Sequence, residues 1–477
     1  MSINKIIENI QAAVNAPYLA RWWGGTRIDG IDQSVGNTYQ LTALDNTSPG
    51  VGSEWPIWEL DADNQFREFN SVQNPVRESA TCHLYPNANM VTQTFFVNPT
   101  NRAIAITGLN AVLTTVGTVA GATAYISHET APAGLGTVQQ APGTGANIMG
   151  AGNLFNLHTM VAETVLPGQG PNYGLGAYYQ RATRSISVAA PNPGTGLIVL
   201  QPGDSLSIVF AGTLTTLVGA TITLYLMPGS KFHYVSYYAA GAASVATLSL
   251  MTAMRPRTLK FAGMLVATPE TATGTLTLGL TKDASATAPG AGTAVATALT
   301  LKGTANTFTP FVLSATAANL SFNATDSISV LRAGSATPTA IAGVCVTLAF
   351  SGNPNEVQID YNSQNSTVGT NEEFWIADRD YEVLDFAGKW SVVGGSGAVV
   401  GLTADTGTQT PSTGAILQTD NSSTGFLTSG TINVPVFATL TALHTRFLRA
   451  GDRLGLLNGG TLGTLAGFQL SARLRAM

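Results

Sequence analysis

The acidic residues of this chain are few, and two pairs of neighbouring carboxylates are the first candidates for shared chemistry. Asp61 and Asp63 lie in the N-terminal segment, and Glu372 and Glu373 are adjacent much further along. Two carboxyl groups flanking a glycosidic bond are the machinery of glycoside hydrolysis. Adjacent residues of a strand point to opposite faces, so Glu372 and Glu373 are not expected to converge on one substrate. Neither pair predicts a catalytic site.

The histidines do not form a metal-binding pattern either. None of them has the i, i+2 or i, i+4 spacing of a ligand pair, and H-E-x-x-H is absent. The sequence DADN at 61–64 is the only stretch with the composition of a calcium loop. There is no G-x-S-x-G motif and no phosphate-binding P-loop. We therefore expect no cofactor, no metal and no enzymatic activity. The five histidines are His83, His128, His158, His233 and His444.

The composition narrows the class of protein. The 477 residues include only 10 % charged residues, 51 glycines and a formal net charge of −5, whereas soluble domains usually carry roughly 25 % charged residues. No basic cluster is present to neutralise phosphates, so nucleic acid is not an expected partner. No apolar run reaches membrane-spanning length and the N-terminus lacks a secretory h-region, so we predict synthesis in the cytoplasm and no membrane insertion. Cys82 and Cys345 are far apart, which predicts no disulfide framework.

The most informative feature is a stretch that occurs three times. Each copy has a small turn, an aspartate, an apolar strand, a Gly-Thr or Gly-Ser connection and a second strand. The aspartates are Asp204, Asp326 and Asp452, and we expect them to cap their turns. Two further markers recur in the same order, which predicts a triplicated domain. One is an upstream strand (TQTFFVNP, TLSLMTAM and EEFWIADR), and the other is an apolar strand that ends in glycine (AIAITG, TLKFAG and VLDFAG). The three copies are LQPGDSLSIVFAGTLTTLVGATITLYL at 200–226, FNATDSISVLRAGSATPTAIAGVCVTLAF at 322–350 and LRAGDRLGLLNGGTLGTLAGFQLSARL at 448–474.

These repeats predict an all-β protein with three tandem antiparallel β-sandwiches preceded by an N-terminal arm. The predicted boundaries are 1–80 for the arm, 81–230 for repeat 1, 231–352 for repeat 2 and 353–477 for repeat 3. Many short strands with Gly- and Thr-rich turns favour a jelly roll. Periodicity alone does not distinguish a jelly roll from an immunoglobulin-like sandwich.

The N-terminal arm carries two apolar features that are typical of docking elements. Isoleucines at 3, 4 and 7 spacing predict one stripe of a short amphipathic helix, and four of the six tryptophans follow within the arm. The alternative is that this segment packs on the first repeat. The proposed docking residues are Ile3, Ile6, Ile7, Ile10, Trp22, Trp23, Trp55 and Trp58.

Two tyrosine-rich stretches are candidates for surface contacts. One lies in a long Gly/Pro-rich insert of repeat 1 and the other opens repeat 2. Aromatic rings on a surface can stack on sugars, so we expect glycan contact here if the chain is a receptor-binding protein. The residues are Tyr173, Tyr178 and Tyr179 in the insert, and Tyr234, Tyr237 and Tyr238 in repeat 2.

With its arm and its Gly/Ala/Thr-rich repeats, such as FAGMLVATPETATGTLTLGL and LRAGDRLGLLNGGTLGTLAG, the chain resembles virion structural proteins of tailed bacteriophages. The resemblance is to head decoration (cement) proteins and to tail-fibre or baseplate proteins with tandem jelly rolls. It implies assembly in the host cytoplasm, a place on the virion, and docking of the arm on the major capsid protein or another virion protein.

The arrangement and stoichiometry of the repeats are left open at this stage. The three repeats are expected either to form a triangle around a pseudo-threefold axis or to lie in a row. A homo-oligomer is expected, with a trimer as one form. A receptor-binding fibre protein with carbohydrate-binding sandwiches is the alternative function.

Overall fold

The computed structural model describes most of the repeats and the backbone of five strands between residues 21 and 69. The described residues of the repeats are 78–85, 90–115, 120–131, 138–148, 155–157, 166–167, 198–227, 232–353, 356–363, 371–407, 409–411, 413–419, 425–442 and 446–476.

Five strands of the N-terminal segment form an antiparallel meander, each pairing with the next along the chain. The segment predicted as an arm therefore contains a sheet. Its strands are only three to six residues long, so no window shows sustained alternation. The helix predicted at residues 3–14 lies outside the described residues. The strands are β1 (Arg21–Trp23), β2 (Thr26–Ile31), β3 (Thr38–Ala43), β4 (Ile57–Leu60) and β5 (Phe66–Phe69).

The structure has the tandem β-sandwiches that the sequence predicts, and each repeat contributes ten strands to one of them. The first sandwich consists of β6 to β15, in order Glu78–Leu84, Gln93–Val97, Ile104–Thr115, Thr123–Glu129, Ala146–Asn147, Phe155–Asn156, Leu166–Pro167, Ile198–Leu200, Ser205–Ala211 and Val218–Met227. The second consists of β16 to β25, in order Phe232–Gly241, Leu248–Thr252, Arg257–Thr268, Leu276–Asp283, Thr293–Ala294, Leu299–Thr300, Thr309–Pro310, Ser321–Phe322, Ser327–Gly334 and Ala342–Ser351. The third consists of β26 to β35, in order Glu356–Asn362, Glu372–Ile376, Tyr381–Lys389, Val399–Asp405, Ala415–Ile416, Phe426–Leu427, Val436–Phe437, Phe447–Leu448, Arg453–Gly459 and Gln469–Ala476.

The described residues of the second sandwich include two short helical segments. A 3₁₀ turn at Ala242–Ser244 follows β16, and a one-turn helix, α1 (Ala317–Leu320), precedes β23.

All three sandwiches have the same strand order. One sheet places the tenth strand between the first and the third, and the other places the ninth between the second and the fourth. The fifth and sixth strands both pair with the fourth at separate positions, so they are two pieces of one interrupted strand. The seventh and eighth pair with the third in the same way. Counting each interrupted strand once gives sheets 1-8-3-6 and 2-7-4-5, which is the jelly-roll connectivity.

The three copies also share their irregularities. In each sandwich the second strand carries one extra residue where it pairs with the ninth. A bulge of this kind bends the strand and increases its twist. The extra residue is a large apolar one that is buried: Phe95, Leu250 or Phe374.

The repeated aspartates close equivalent turns before the ninth strand. In each turn a carboxylate oxygen accepts a hydrogen bond from the backbone N–H three residues earlier, at 2.7–2.9 Å. The residue before the aspartate has a positive φ, which glycine adopts at the least cost. Gly203 and Gly451 satisfy this at 89°, whereas Thr325 adopts 81° with a β-branched side chain. Asp204, Asp326 and Asp452 thus stand at the same place in the three copies.

Each sandwich buries an apolar core between its two sheets. The edges of the sheets differ in character. The outer edges consist of the two- or three-residue pieces of the interrupted strands, which offer little unpaired backbone to another chain. The inner edges are the first and second strands, which are continuous and buried. The positions of these inner edges determine how the sandwiches meet.

Candidate functional site at the junction of the three sandwiches

The second strand of each sandwich packs on the first-strand sheet of the next sandwich. Strand β7 lies against β16, β25 and β18, strand β17 lies against β26 and β35, and strand β27 lies against β6, β15 and β8. The order is therefore 1 on 2, 2 on 3 and 3 on 1. A head-to-tail contact that closes after three steps produces a ring. Of the two arrangements expected from the sequence, the structure has the triangle.

The same hydrogen bond forms at each of the three contacts. The last residue of each second strand donates a backbone N–H to the neighbouring sandwich, and the acceptor is a hydroxyl on the tenth strand of that sandwich. All six residues are fully buried. The pairs are Val97 to Thr347 at 3.0 Å, Thr252 to Ser471 at 3.0 Å, and Ile376 to Thr223 at 3.3 Å.

Each of these hydroxyls has a second partner on the first strand of its own sandwich. The partners stand at equivalent register positions. Two of the contacts are between hydroxyls, Thr223 with Thr81 at 3.4 Å and Thr347 with Ser236 at 3.3 Å. In the third, Ser471 donates to the Asp360 carboxylate at 2.5 Å. At each junction a backbone N–H thus donates to a hydroxyl, and that hydroxyl contacts a side chain on the first strand of its own sandwich. We call this arrangement the relay, and it occurs three times around the ring.

The three first strands surround a polar cleft at the centre of the ring. Alternate residues of each strand face the sandwich core, and the others face this cleft. Because the three first strands have equivalent pairing registers, their cleft-facing side chains lie in three layers of three. The layers are Ser79, Tyr234 and Gln358, then Thr81, Ser236 and Asp360, then His83, Tyr238 and Asn362.

Asp360, which lines the cleft, contacts His233, and His233 also contacts Glu78, so the imidazole links three ionisable side chains from the three sandwiches. His233 Nδ1 lies 3.2 Å from Glu78 Oε2, and His233 Nε2 lies 2.7 Å from Asp360 Oδ2. The His233 and Glu78 side chains are each 2 % exposed and that of Asp360 is 6 % exposed. We call these three residues the axial triad.

Burial and hydrogen bonding have opposite effects on the pKa of His233. Burial and the nearby Arg257 guanidinium lower the pKa of His233, but hydrogen bonds to Asp360 and Glu78 outweigh them and raise it above its ordinary value. Burial raises the pKa of Glu78, although its contact with His233 opposes that shift. The arrangement therefore favours a protonated imidazole between its two acidic partners.

The contact between sandwiches 1 and 2 is rich in aromatic and apolar groups. The Tyr234 ring meets Phe96 edge-on, with centroids 5.5 Å apart. Val97 joins an apolar cluster with three residues of the second sandwich, Leu265, Phe308 and Cys345. The Tyr238 hydroxyl adds polar contacts by accepting from the His83 N–H at 2.9 Å and donating to the His83 carbonyl at 3.1 Å.

The contact between sandwiches 2 and 3 is mainly polar. The Gln358 side chain accepts from the Met254 N–H at 3.3 Å and donates to the Thr252 carbonyl at 3.0 Å. Lys389 is 1 % exposed and donates to the Ser327 hydroxyl at 3.0 Å. Burial lowers the pKa of Lys389.

The contact between sandwiches 3 and 1 combines both kinds of chemistry. The His83 ring of sandwich 1 lies against the Tyr361 ring of sandwich 3 with centroids 5.0 Å apart, and the Trp375 indole N–H donates to the Ser79 hydroxyl at 3.1 Å. The Tyr225 hydroxyl donates to the Ile376 carbonyl at 3.0 Å, and the Thr221 hydroxyl donates to the Glu373 carbonyl at 2.6 Å. These bonds close the ring.

The structure corrects the interpretation of one tyrosine cluster. Tyr234, Tyr237 and Tyr238 were expected on the surface, but they are 6 %, 0 % and 4 % exposed. They belong to the ten-residue strand β16, in which Tyr237 faces the core and the other two face the first sandwich. They are junction and core residues and cannot stack on a glycan.

Several other candidates fall outside the described part of the structure. Tyr173, Tyr178 and Tyr179 lie outside the described residues, as do Trp55 and the isoleucines Ile3, Ile6, Ile7 and Ile10. Trp22 and Trp23 lie in β1 and Trp58 lies in β4, but only the backbone of those strands is described.

The adjacent glutamates serve separate structural contacts. Glu372 accepts from the Tyr361 hydroxyl, and Glu373 accepts from Arg453. They do not share a site, in agreement with the expectation from strand geometry. Among the described residues no cluster of three metal-binding side chains is found, and no helix is long and apolar enough to cross a membrane.

A fourth repeated marker was missed in the sequence. The fourth strand of each sandwich ends in a buried carboxylate that accepts from backbone N–H groups of the following loop. The three carboxylates are Glu129, Asp283 and Asp405. The signal was present, because each is followed by a Pro-x-x-Gly turn: PGTG at 142–145, PGAG at 289–292 and PSTG at 411–414.

Comparison with known proteins gives little beyond this geometry. No protein-family model matches the chain, and no curated protein matches it. The solved structures that it matches include the infectious bursal disease virus VP2 subviral particle, at 10 % identity and a TM-score of 0.16, covering 98 % of this chain and 86 % of that one. Structures of the Gx and Gt strains of the same virus match at 10 % and 8 % identity, TM-scores of 0.16 and 0.15, and coverage of 98 % and 99 % of this chain and 86 % of each of those. At such TM-scores these similarities carry no argument about this chain.

Proposed function

We propose that the chain is a non-enzymatic structural protein of a bacteriophage virion, and that it decorates and stabilises the head. The observation that carries the proposal is the closed ring of three jelly rolls within one chain. Such a ring has a pseudo-threefold axis, so it presents three similar faces to whatever lies beneath it. The proposed partner is the major capsid protein around a threefold or quasi-threefold position of the shell.

The chemistry of the ring supports this role. The continuous inner edges of the sheets are covered by neighbouring sandwiches, and the outer edges are short, so the body offers few sites for uncontrolled strand pairing. Buried hydrogen bonds and apolar contacts hold the ring, and few of the ion pairs between its described residues have an exposed member. Salt screens exposed charges much more than buried contacts. Such a body suits a particle that must survive dilution and changes of ionic strength.

In the proposal the N-terminal segment docks on the shell. It holds four of the six tryptophans, and aromatic anchors of this kind dominate binding energy at protein interfaces. The expected homo-oligomer stays a prediction, since a ring within one chain already supplies a trimer-like body.

The test is to purify virions of the phage that encodes the chain, detect the chain by mass spectrometry, and locate it by cryo-electron microscopy. The proposal expects the chain on the head, with its pseudo-threefold axis along a threefold or quasi-threefold axis of the shell. Density at the tail tip would instead support the alternative, a receptor-binding protein. Absence from purified virions would refute both functions.

A further inference from the structure

The axial triad brings titratable side chains from all three sandwiches together through one imidazole. Each residue lies in the first strand of its sandwich. Glu78 begins β6 of sandwich 1, His233 lies at the start of β16 of sandwich 2, and Asp360 lies in β26 of sandwich 3. The imidazole is the central member because each of its nitrogens faces a carboxylate of a different sandwich. Its protonation state therefore acts on two junctions at once.

The charges around His233 come from three strands and one connection. Glu78 of β6 and Asp360 of β26 contact it, and the Arg257 guanidinium of β18 is a cation that acts on it. Further out, Glu356 of β26 pairs with Arg255, Nη2 to Oε1 at 2.6 Å. With His233 protonated and both carboxyl groups ionised, the two cations His233 and Arg257 balance the two anions Glu78 and Asp360. When His233 is neutral, its ring carries no charge and only one of its nitrogens has a proton. That nitrogen can donate a hydrogen bond to one carboxylate, but the other nitrogen has no proton to donate to the second.

We propose that the axial triad is a pH-sensitive clasp that holds the three sandwiches together while His233 is protonated and lets them separate at their shared junction when it is not. A neutral imidazole donates from one nitrogen only. The other nitrogen then faces a carboxylate lone pair at close range inside a buried site. That repulsion acts between sandwich 2 and one of its two neighbours.

The direction of the pH effect follows from proton linkage. Because the pKa of His233 is raised in the folded ring, its stabilising contribution is fully present below the ordinary value of about 6.5 and is lost as the pH rises through the raised value. The raised pKa of Glu78 acts in the same direction, since rising pH then places a second buried anion beside Asp360. The closed ring is therefore most stable below about pH 6.5 and loses this stabilisation as the pH rises through the raised pKa of His233.

The chain carries natural reporters of this opening. Its two cysteines are fully buried free thiols. Cys345 lies in the apolar cluster between sandwiches 1 and 2, and the Cys82 thiol lies beside Tyr238 of the second sandwich. Separation of the sandwiches at the axis exposes the Cys345 cluster to solvent. The rate at which a thiol reagent modifies the folded chain then measures the fraction of open rings.

The experiment measures thiol modification of the full chain from pH 5.5 to 9.5, with each rate divided by that of the denatured chain at the same pH. This division removes the intrinsic pH dependence of the thiolate. Far-UV circular dichroism at each pH checks that the sandwiches stay folded. The variants are His233→Gln, which contacts both carboxylates without a charge, and His128→Gln, the matched control. His128 pairs with Asp204 at 2.8 Å within the first sandwich, away from the axis.

The clasp predicts that the normalised rate of the wild-type chain rises several-fold as the pH increases, while the circular dichroism stays constant. His128→Gln keeps this profile. His233→Gln has a raised rate at acidic pH and loses the increase. A wild-type rate that is flat with pH, or a His233→Gln profile that follows the wild type, overturns the proposal.

If His233→Gln does not fold, Asp360→Asn provides the same test. Removing that negative charge lowers the affinity of His233 for its proton, so opening must move to lower pH. An opening curve of Asp360→Asn that superimposes on the wild type contradicts the clasp.

Discussion

The junction between sandwiches 1 and 2 and the junction between sandwiches 2 and 3 have the same backbone geometry and different chemistry. Both are made by a second strand lying on the first-strand sheet of its neighbour, and both contain the N–H-to-hydroxyl relay. The first is filled by Phe96, Tyr234 and the Val97 cluster, the second by Gln358, Lys389 and Ser327.

This difference shows how one chain can keep three similar sandwiches in a fixed order. The relay uses main-chain groups and small hydroxyls, so it fits any pair of neighbours. The side chains around it differ, so a sandwich docked on the wrong neighbour would bury Lys389 or Gln358 against apolar groups. Burying unpaired polar groups is costly, and specificity often rests on such penalties. The shared relay sets the geometry, and the differing chemistry sets the order.

The largest effect is expected from Tyr234→Ala at the aromatic junction. The substitution removes a buried ring from its contact with Phe96, and truncation of a large core aromatic costs about 3–5 kcal/mol in the free energy of unfolding. Urea denaturation followed by circular dichroism measures this. Tyr234→Phe keeps the ring and serves as the control. A loss below about 1 kcal/mol for Tyr234→Ala would mean that this junction is not packed in solution.

At the polar junction, Gln358→Leu is expected to cost about 1–3 kcal/mol. It leaves the Met254 N–H and the Thr252 carbonyl buried without partners, and that penalty exceeds the value of the hydrogen bonds themselves. The control is Gln201→Leu at an exposed turn, where we expect a change within about 0.5 kcal/mol. Equal stabilities of the two variants would refute the assignment of Gln358 to a buried junction.

The relay itself is expected to contribute equally wherever it occurs. Thr347→Val and Thr223→Val are nearly isosteric and each orphans one buried N–H, that of Val97 or of Ile376. Each should destabilise the chain by about 1–2 kcal/mol. Measured side by side, the two losses should agree within about 0.5 kcal/mol. A clear inequality would show that the surrounding chemistry, and not the relay, determines the geometry.

The smallest effect is expected at the rim of the polar junction. The Arg255 side chain is 41 % exposed in its pair with Glu356, and exposed pairs contribute at most about 1 kcal/mol. Arg255→Met should therefore cost less than about 1 kcal/mol at low salt and nothing measurable at 1 M salt. Arg475→Met provides the match, since Arg475 is 55 % exposed in its pair with Glu382 on the outer part of sandwich 3. A much larger loss for Arg255→Met would place that ion pair among the groups that hold the ring.

The repeat and the fold class could be predicted because both depend on local sequence. The Asp204, Asp326 and Asp452 turns are encoded within four residues, and strand alternation is visible beside each of them. The second strands also carried a usable signal, because QTFFV, LSLMT and EEFWI lack clear alternation and are buried throughout. Such runs are typical of strands covered on both faces.

The ring and the axial triad could not be predicted, since they depend on which sandwich meets which. Nothing around His233 in the sequence points to Glu78 or Asp360, which are 155 and 127 residues away. The tyrosines of β16 were assigned to the surface because aromatic density alone does not show that a neighbouring sandwich covers the strand.

The most direct test of the ring is amide hydrogen exchange at its three equivalent N–H groups, Val97, Thr252 and Ile376. Each of these amides finds its acceptor on another sandwich. The ring predicts comparable protection of all three, because each is buried only when its junction is closed. A row of sandwiches would protect Val97 and Thr252 but leave Ile376, which bonds sandwich 3 to sandwich 1, exchanging like an exposed amide. That result would contradict the closed ring and the proposals that depend on it.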